Sequence, residues 1–354
     1  MGRLLCAKRK DAEDFMSKKI LVTGGCGFLG ANLVHEALAR GYEPIILDNL
    51  YRAGSDRNLA WLRSQGKVTF FHGDIRNPGD LAQVLDLRPD AVFHLAGQVA
   101  MTTSVDNPTL DFGVNAQGTL NLLVGLKDRG LRVPVLYSST NKVYGDLEEL
   151  KYDQGKTRYT TPQFPAGFDE SLPFAPSTPY GLSKATADMY IREWHRLFNF
   201  PTVVFRHSSM YGELQNATFD QGWVSWFAGV ALKRKQDKNF TFTVSGNGKQ
   251  VRDLLHASDM RELYFRALDG IQHVQGRAFN VGAGITNSLS VLELLSFLGE
   301  TVGCDMTPEF LPPRSSDQRV FVADVAALTK AIGWAPRKDY RSGLSGLLKW
   351  LGNT

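Results

Sequence analysis

Apolar and polar residues follow two different rhythms along the first two hundred positions. Short and almost wholly apolar runs, KKILVTG, PIILDNL, KVTFFHGDIR, DAVFHLAG, PVLYSST and TVVFRHS, are separated by longer stretches in which apolar residues recur every three or four positions. Runs apolar on both faces suit strands covered on both sides, and the intervening periodicity suits amphipathic helices. The clearest helix follows the first run: Leu29, Leu33, Val34, Ala37 and Leu38 share one face, and Gly41 ends it. Such regular alternation predicts an α/β fold built on a doubly wound parallel sheet. Beyond Tyr211 the rhythm breaks into short strands, FTFTVSG and AFNVGAG among them, which predicts a smaller C-terminal lobe. The expected organisation is an N-terminal arm over 1–17, the sheet domain over 18–205 and the smaller lobe over 206–354, with a segment near 249–275 returning to the sheet domain. Residues 146–179 are polar, proline-punctuated and aperiodic, and a loop of that length is expected to act as a lid or specificity loop.

The junction of the first strand with its helix carries chemistry. It reads Gly24-x-x-Gly27-x-x-Gly30, a turn that lets the backbone approach a pyrophosphate while the helix N-terminus faces it. The second strand ends in Asp48, where a carboxylate can accept both hydroxyls of an adenosine ribose and repel a 2′-phosphate. The third ends in Asp74, within reach of an adenine amino group. A Rossmann-like site for NAD, in preference to NADP, follows from this set.

Tyr180 and Lys184 stand one turn apart at the start of the helical stretch PYGLSKATADMYIREWHRLF. An ammonium on the same helix face as a phenol, together with an oxidised nicotinamide, is expected to lower the phenol's pKa toward the range of a working base. Spacing alone is weak, since Tyr152 and Lys156 repeat it in a loop. The fifth strand ends in Ser138, Ser139 and Thr140, and hydroxyls at the carboxyl edge of such a sheet face the ligand crevice.

These residues, with the strings SSTNKVYG, YGLSK and VRDLLH, resemble the extended short-chain dehydrogenase/reductase family of nucleotide-sugar epimerases and dehydratases over nearly all of 18–350. The resemblance implies Thr140, Tyr180 and Lys184 as the catalytic set. It places Phe28, Leu29, Asn49, Ile75, Leu95, Ala96, Gly97, Asn115 and Ser138 at the cofactor, Asn115 also supporting the active-site helix. It places Gln98, His207 and Ser208 beside the sugar, and gives Arg252 and Arg314 to the substrate's diphosphate. Trp223 and Trp226 suit either a wall for the nucleotide base or the lobe's core. Longer strings, HLAGQVAMTTSVDNP and SDQRVFVAD among them, resemble the 2-epimerases of CDP-linked sugars, which implies a CDP-linked substrate. Dehydratases of this family follow the threonine with Asp-Glu, whereas this chain has Asn141-Lys142. Lys142 suits substrate contact or the satisfying of loop carbonyls. The alternatives are a UDP-hexose 4-epimerase, a 2-epimerase of another CDP- or GDP-sugar, and an NAD- or RNA-binding scaffold without turnover. Helices around 110–126 and 185–198 resemble the pair through which the family dimerises, implying a homodimer or homotetramer.

Composition narrows little further. Lys+Arg 40 against Asp+Glu 36 gives +4, which argues for neither a nucleic-acid nor a membrane partner. Three cysteines make no disulfide framework and no ligand-spaced cluster, so no metal is expected and a reducing compartment is. The absence of a long apolar run predicts a soluble, cytoplasmic protein. Residues 1–15 lack a pattern and precede Met16, which itself suits the start of the fold; a dispensable arm is expected.

Overall fold

In the computed structural model, which describes residues 18–314 and 316–353, seven parallel strands form one sheet. They are β1 (Lys19–Thr23), β2 (Glu43–Asp48), β3 (Thr69–His72), β4 (Ala91–His94), β5 (Val135–Thr140), β6 (Thr202–His207) and β7 (Ala278–Val281). Their order across the sheet is β7-β6-β5-β4-β1-β2-β3, so the winding reverses between β1 and β4. That switch point opens a crevice at the carboxyl edge. The helices α1 (Phe28–Ala39), α2 (Gly118–Asp128) and α3 (Thr178–Phe198) belong to the layers covering the sheet.

Burial explains the apolar runs. Every residue of β6 is buried, as are all of β4 and all but the first of β1. One core layer joins Leu33, Val34 and Ala37 of α1 to Met260, Leu263 and Phe265. The opposite layer joins Leu122, Leu123 and Leu126 of α2 to Ile191 and Trp194 of α3.

Three sequence expectations change. The run AFNV, read as part of the small lobe, is β7 and completes the main sheet beside β6. The helix α4 (Ala257–Asp269) packs against α1, while the strand before it, Val251–His256, belongs to the small lobe: it pairs with Ser209–Tyr211, Ser288–Ser290 and Val320–Phe321. Segment 146–179 is a strut and not a lid. Leu147, Phe168 and Leu172 are buried against Val320–Ala323, Phe168 exchanges backbone hydrogen bonds with Val322 and Asp324, and Arg158 pairs with Glu293. Its apolar residues, spaced too irregularly to read as an element, dock it on the small lobe. Tyr152 lies in this strut with its hydroxyl donating to the Leu147 carbonyl (2.7 Å), so its spacing to Lys156 is incidental.

Among the described residues no helix is long and apolar enough to cross a membrane, and no cluster of side chains suits a metal ion. The N-terminal arm lies outside the described residues.

Candidate active site

A cavity of about 260 Å³ runs along the crevice, walled by Gly24, Gly27, Phe28, Leu29 and Gly30, by Asp48, Asn49, Asp74 and Ile75, and by Leu95, Ala96, Gly97 and Ser138. Its floor is the glycine turn. Gly24 has φ +71°, and a Cβ there would lie 2.7 Å from the Ala96 nitrogen; a Cβ on Gly30 would lie 2.1 Å from the Gly24 carbonyl oxygen. Only glycine lets strand, turn and helix approach so closely. No side chain caps the N-terminus of α1, which leaves its first amides for a ligand.

Asp48 holds the turn and faces the cavity. Its carboxylate accepts from the Cys26 N–H (2.9 Å) and the Leu50 N–H (2.8 Å). Burial raises its pKa, and those two hydrogen bonds oppose the rise. Asp74 is held by Arg76 and by the Asn49 amide, and the Arg76 hydrogen bond brings its pKa down to about 2. The residues fit NAD on these grounds: a side-chain-free cradle, an uncapped helix end and a ribose-facing carboxylate. The far wall, Met210 and Leu214–Ala217, comes from the small lobe and was missed in the sequence because it has no period. It is fastened by Arg57 to Asn216 (2.6 Å) and by Asn58 to the Leu214 carbonyl (3.2 Å).

A second cavity, about 210 Å³, shares Gln221 and Gly222 with the first. Trp223, Trp226, Phe219 and Phe227 line it together with Arg252 and Arg314, so the two tryptophans are wall and lobe core at once. Arg252 donates to Asp317 (2.8 Å), and Arg314 lies 5.0 Å from the Phe219 ring centroid. Aromatic faces and two guanidinium forks can take a base and a diphosphate.

The helix α3 begins after Ser177 with Pro179 in its first turn, and Thr140, Tyr180 and Lys184 are not among the residues that line either cavity. The Tyr180 N–H donates to Ser104 (2.8 Å), while the Lys184 ammonium donates to the Ser138 carbonyl and stands 4.4 Å from the Tyr137 ring centroid. Burial pushes Tyr180 up to about 12, with Thr140 acting in the opposite direction and Asp111 adding to the rise. The same burial brings Lys184 down to about 7, so its charge is itself disfavoured there.

Several side chains expected at ligands have partners within the protein. Asn115 is buried, accepting from the Gln98 N–H (2.9 Å) and donating to the Gln98 carbonyl and the Ser183 hydroxyl (3.0 Å each). It acts on the cofactor wall through residue 98 and on α3 through Ser183. Gln98 reaches the cavity wall, but its amide is committed to Asp111 and to the Ala100 backbone. Asp111 also receives the Ser183 hydroxyl (2.5 Å), a brace that sequence spacing gave no sign of. His207 lies in the core, stacked on Tyr264, and burial brings it down to about 3. The Ser208 hydroxyl is buried beside Asp253, whereas Ser209 lines the second cavity and accepts from Trp223 Nε1 (3.0 Å). A shift of one position along an extended chain moves the side chain to the other face.

Comparison with known proteins agrees with this geometry. The chain is 52% identical over 333 residues to the CDP-paratose 2-epimerase of Salmonella typhi, covering 94% of this chain and 98% of that one. The dTDP-glucose 4,6-dehydratase DesIV of Streptomyces venezuelae, solved with NAD bound, superposes with a TM-score of 0.79 at 28% identity, covering 95% and 97% of the two chains. UDP-glucose 4-epimerase of Thermus thermophilus in complex with NAD gives 0.77 at 27% identity, covering 95% and 99%. Residues 20–282 match the NAD dependent epimerase/dehydratase family, and with the glycine cradle, Asp48 and the Tyr180–Lys184 turn in place, the chain belongs to that family.

Proposed function

We propose that this protein converts CDP-paratose to CDP-tyvelose, inverting C2 through a 2-keto sugar. The observation that carries the reading is the 52% identity to a CDP-paratose 2-epimerase, spread over 94% of the chain. The reaction class is supported by chemistry at the turn after Thr140: elimination of water in this family uses a carboxylic acid with a carboxylate, and Asn141 and Lys142 supply no carboxyl group. NAD, when bound, would supply the reversible oxidation of the sugar carbon and, in its oxidised form, a positive charge that favours the phenolate.

The chain's own residues do the rest. Tyr180 takes the proton of the sugar's O2 and later returns it, with Thr140 hydrogen-bonding the same oxygen and Lys184 orienting the cofactor side. A phenol at about 12 is a poor base alone, so its proton leaves only when the site is fully assembled. Arg252 and Arg314 hold the diphosphate while the keto sugar turns about bonds near the pyrophosphate and presents its other face. A homodimer or homotetramer in the cytoplasm is the expected working form. Exposed apolar residues on α3, Leu182, Met189 and Leu197, together with Phe112 and Val124, supply a face that a second copy would cover.

The test is a panel of CDP-, GDP-, UDP- and dTDP-sugars incubated with the purified protein and followed by NMR. Inversion at C2 of CDP-paratose, with no net consumption of NAD, is expected. Inversion only at C4 of a UDP-hexose would replace this reading, and no turnover of any sugar would leave a binding scaffold.

A further inference from the structure

Lys142 is buried, and its ammonium donates to the Ser316 carbonyl (2.7 Å). Beside it the Asn141 amide donates to Gln318 Oε1 (2.7 Å), and Gln318 Nε2 donates back to the Gly145 carbonyl (2.7 Å). Both ends of the helical turn Asn141–Tyr144, which follows Thr140 directly, are thus bonded to residues 316–318. The same short strap is held from the other side. Arg252 donates to the Gln318 carbonyl and to Asp317 (2.8 Å each), and Arg314, two residues before Ser316, stands in the second cavity.

A buried ammonium is costly unless it makes a strong hydrogen bond, and a methionine would fill the same volume without that cost. The cation is therefore retained for its bond to the strap. Burial, with Arg252 adding to it, brings Lys142 down to about 8, consistent with a charge held in place by few partners.

We propose that Lys142 and Asn141 are positioning residues that clasp the Arg314 strap to the catalytic turn, so that a diphosphate held by Arg252 and Arg314 fixes Thr140 against the sugar. The proposal rests on the reading of the second cavity as the diphosphate site. Where relatives that eliminate water need an acid and a base after the threonine, this chain uses the two positions to connect the nucleotide arm with the reacting end.

The experiment compares Lys142→Met, Lys142→Arg and Asn141→Ala with the wild-type holoenzyme, using CDP binding by calorimetry, steady-state kinetics and bound NAD content. Loss of the charged bond is expected to lower kcat of Lys142→Met about tenfold or more, with CDP affinity changed only about threefold and NAD content unchanged. Lys142→Arg, which can still reach the carbonyl, should recover most of kcat. A purely structural role would lower the yield of folded protein and leave kcat per folded site intact. The clasp is overturned when kcat of Lys142→Met and Asn141→Ala stays within twofold of wild type; Asn141→Ala carries the test if Lys142→Met does not fold. The kinetics use whichever nucleotide sugar the panel shows to be turned over, so a wrong CDP reading and a wrong clasp give different results.

Discussion

Replacing Asp48 by Asn keeps its shape while removing one charge and turning one acceptor into a donor. A carboxylate offers about four lone-pair sites. Two are used by the Cys26 and Leu50 N–H groups, and the others face the cavity where the ribose hydroxyls of NAD would lie. Asparagine can accept from only one of the two backbone donors, leaving the other unpaired at about 1–3 kcal/mol, with a fall of a few degrees in Tm. Toward the cofactor the loss is one charge-assisted hydrogen bond, worth roughly tenfold in NAD affinity. The effect on NADP has the opposite sign. A phosphate charge about 5 Å from Asp48 meets a repulsion of about 3 kcal/mol at an effective dielectric constant near 20, or two powers of ten. Asp48→Asn should therefore weaken NAD about tenfold, strengthen NADP and cut the preference for NAD at least 30-fold. Fluorescence titration of nucleotide-free protein with both reduced cofactors measures this. A preference unchanged within threefold would show that Asp48 serves the turn alone.

Tyr180→Phe should lose about a thousandfold in turnover while keeping its bound NAD, because the phenol's work is acid-base; in deuterated water the wild type should leave C2 unlabelled, and stoichiometric deuterium there would refute the mechanism. Met189→Glu, placing a charge on the exposed α3 face, should shift the protein from dimer to monomer by light scattering; a wild-type monomer at micromolar concentration would remove the dimer from the account. His94 and His207 are both brought down to about 3 by burial, with Lys184 adding to the effect. Between pH 6.5 and about 3 the unfolded chain binds the protons the folded one refuses, so stability falls as pH falls, by up to about 1.4 kcal/mol per unit for each histidine. Urea midpoints at pH 7, 6 and 5 should fall less steeply for His207→Leu than for the wild type, with buried Asp253, held up at about 6, acting in the opposite direction in both; identical slopes would contradict it.

What the sequence by itself determined was the local machinery. The glycine turn, the strand runs, the helix opening at Tyr180 and the carboxylates at Asp48 and Asp74 follow from residues a few positions apart, where periodicity and backbone sterics act directly. The tertiary structure decided everything that depends on distant partners. The partners of Gln98, Asn115 and His207 come from distant segments, Asp111 for Gln98, Ser183 for Asn115 and Tyr264 for His207 Nε2, and the facing of Ser208 against Ser209 turned on a single position of register. Segment 146–179 has no period because its order comes from docking on Val320–Ala323. Arg252 was read from the sequence only as a diphosphate ligand, and the path of the strap gave it Asp317 as a partner. The pKa values follow the same rule: spacing brings an ammonium near a phenol, but burial, which no local pattern encodes, sets Tyr180 at about 12 and Lys184 at about 7.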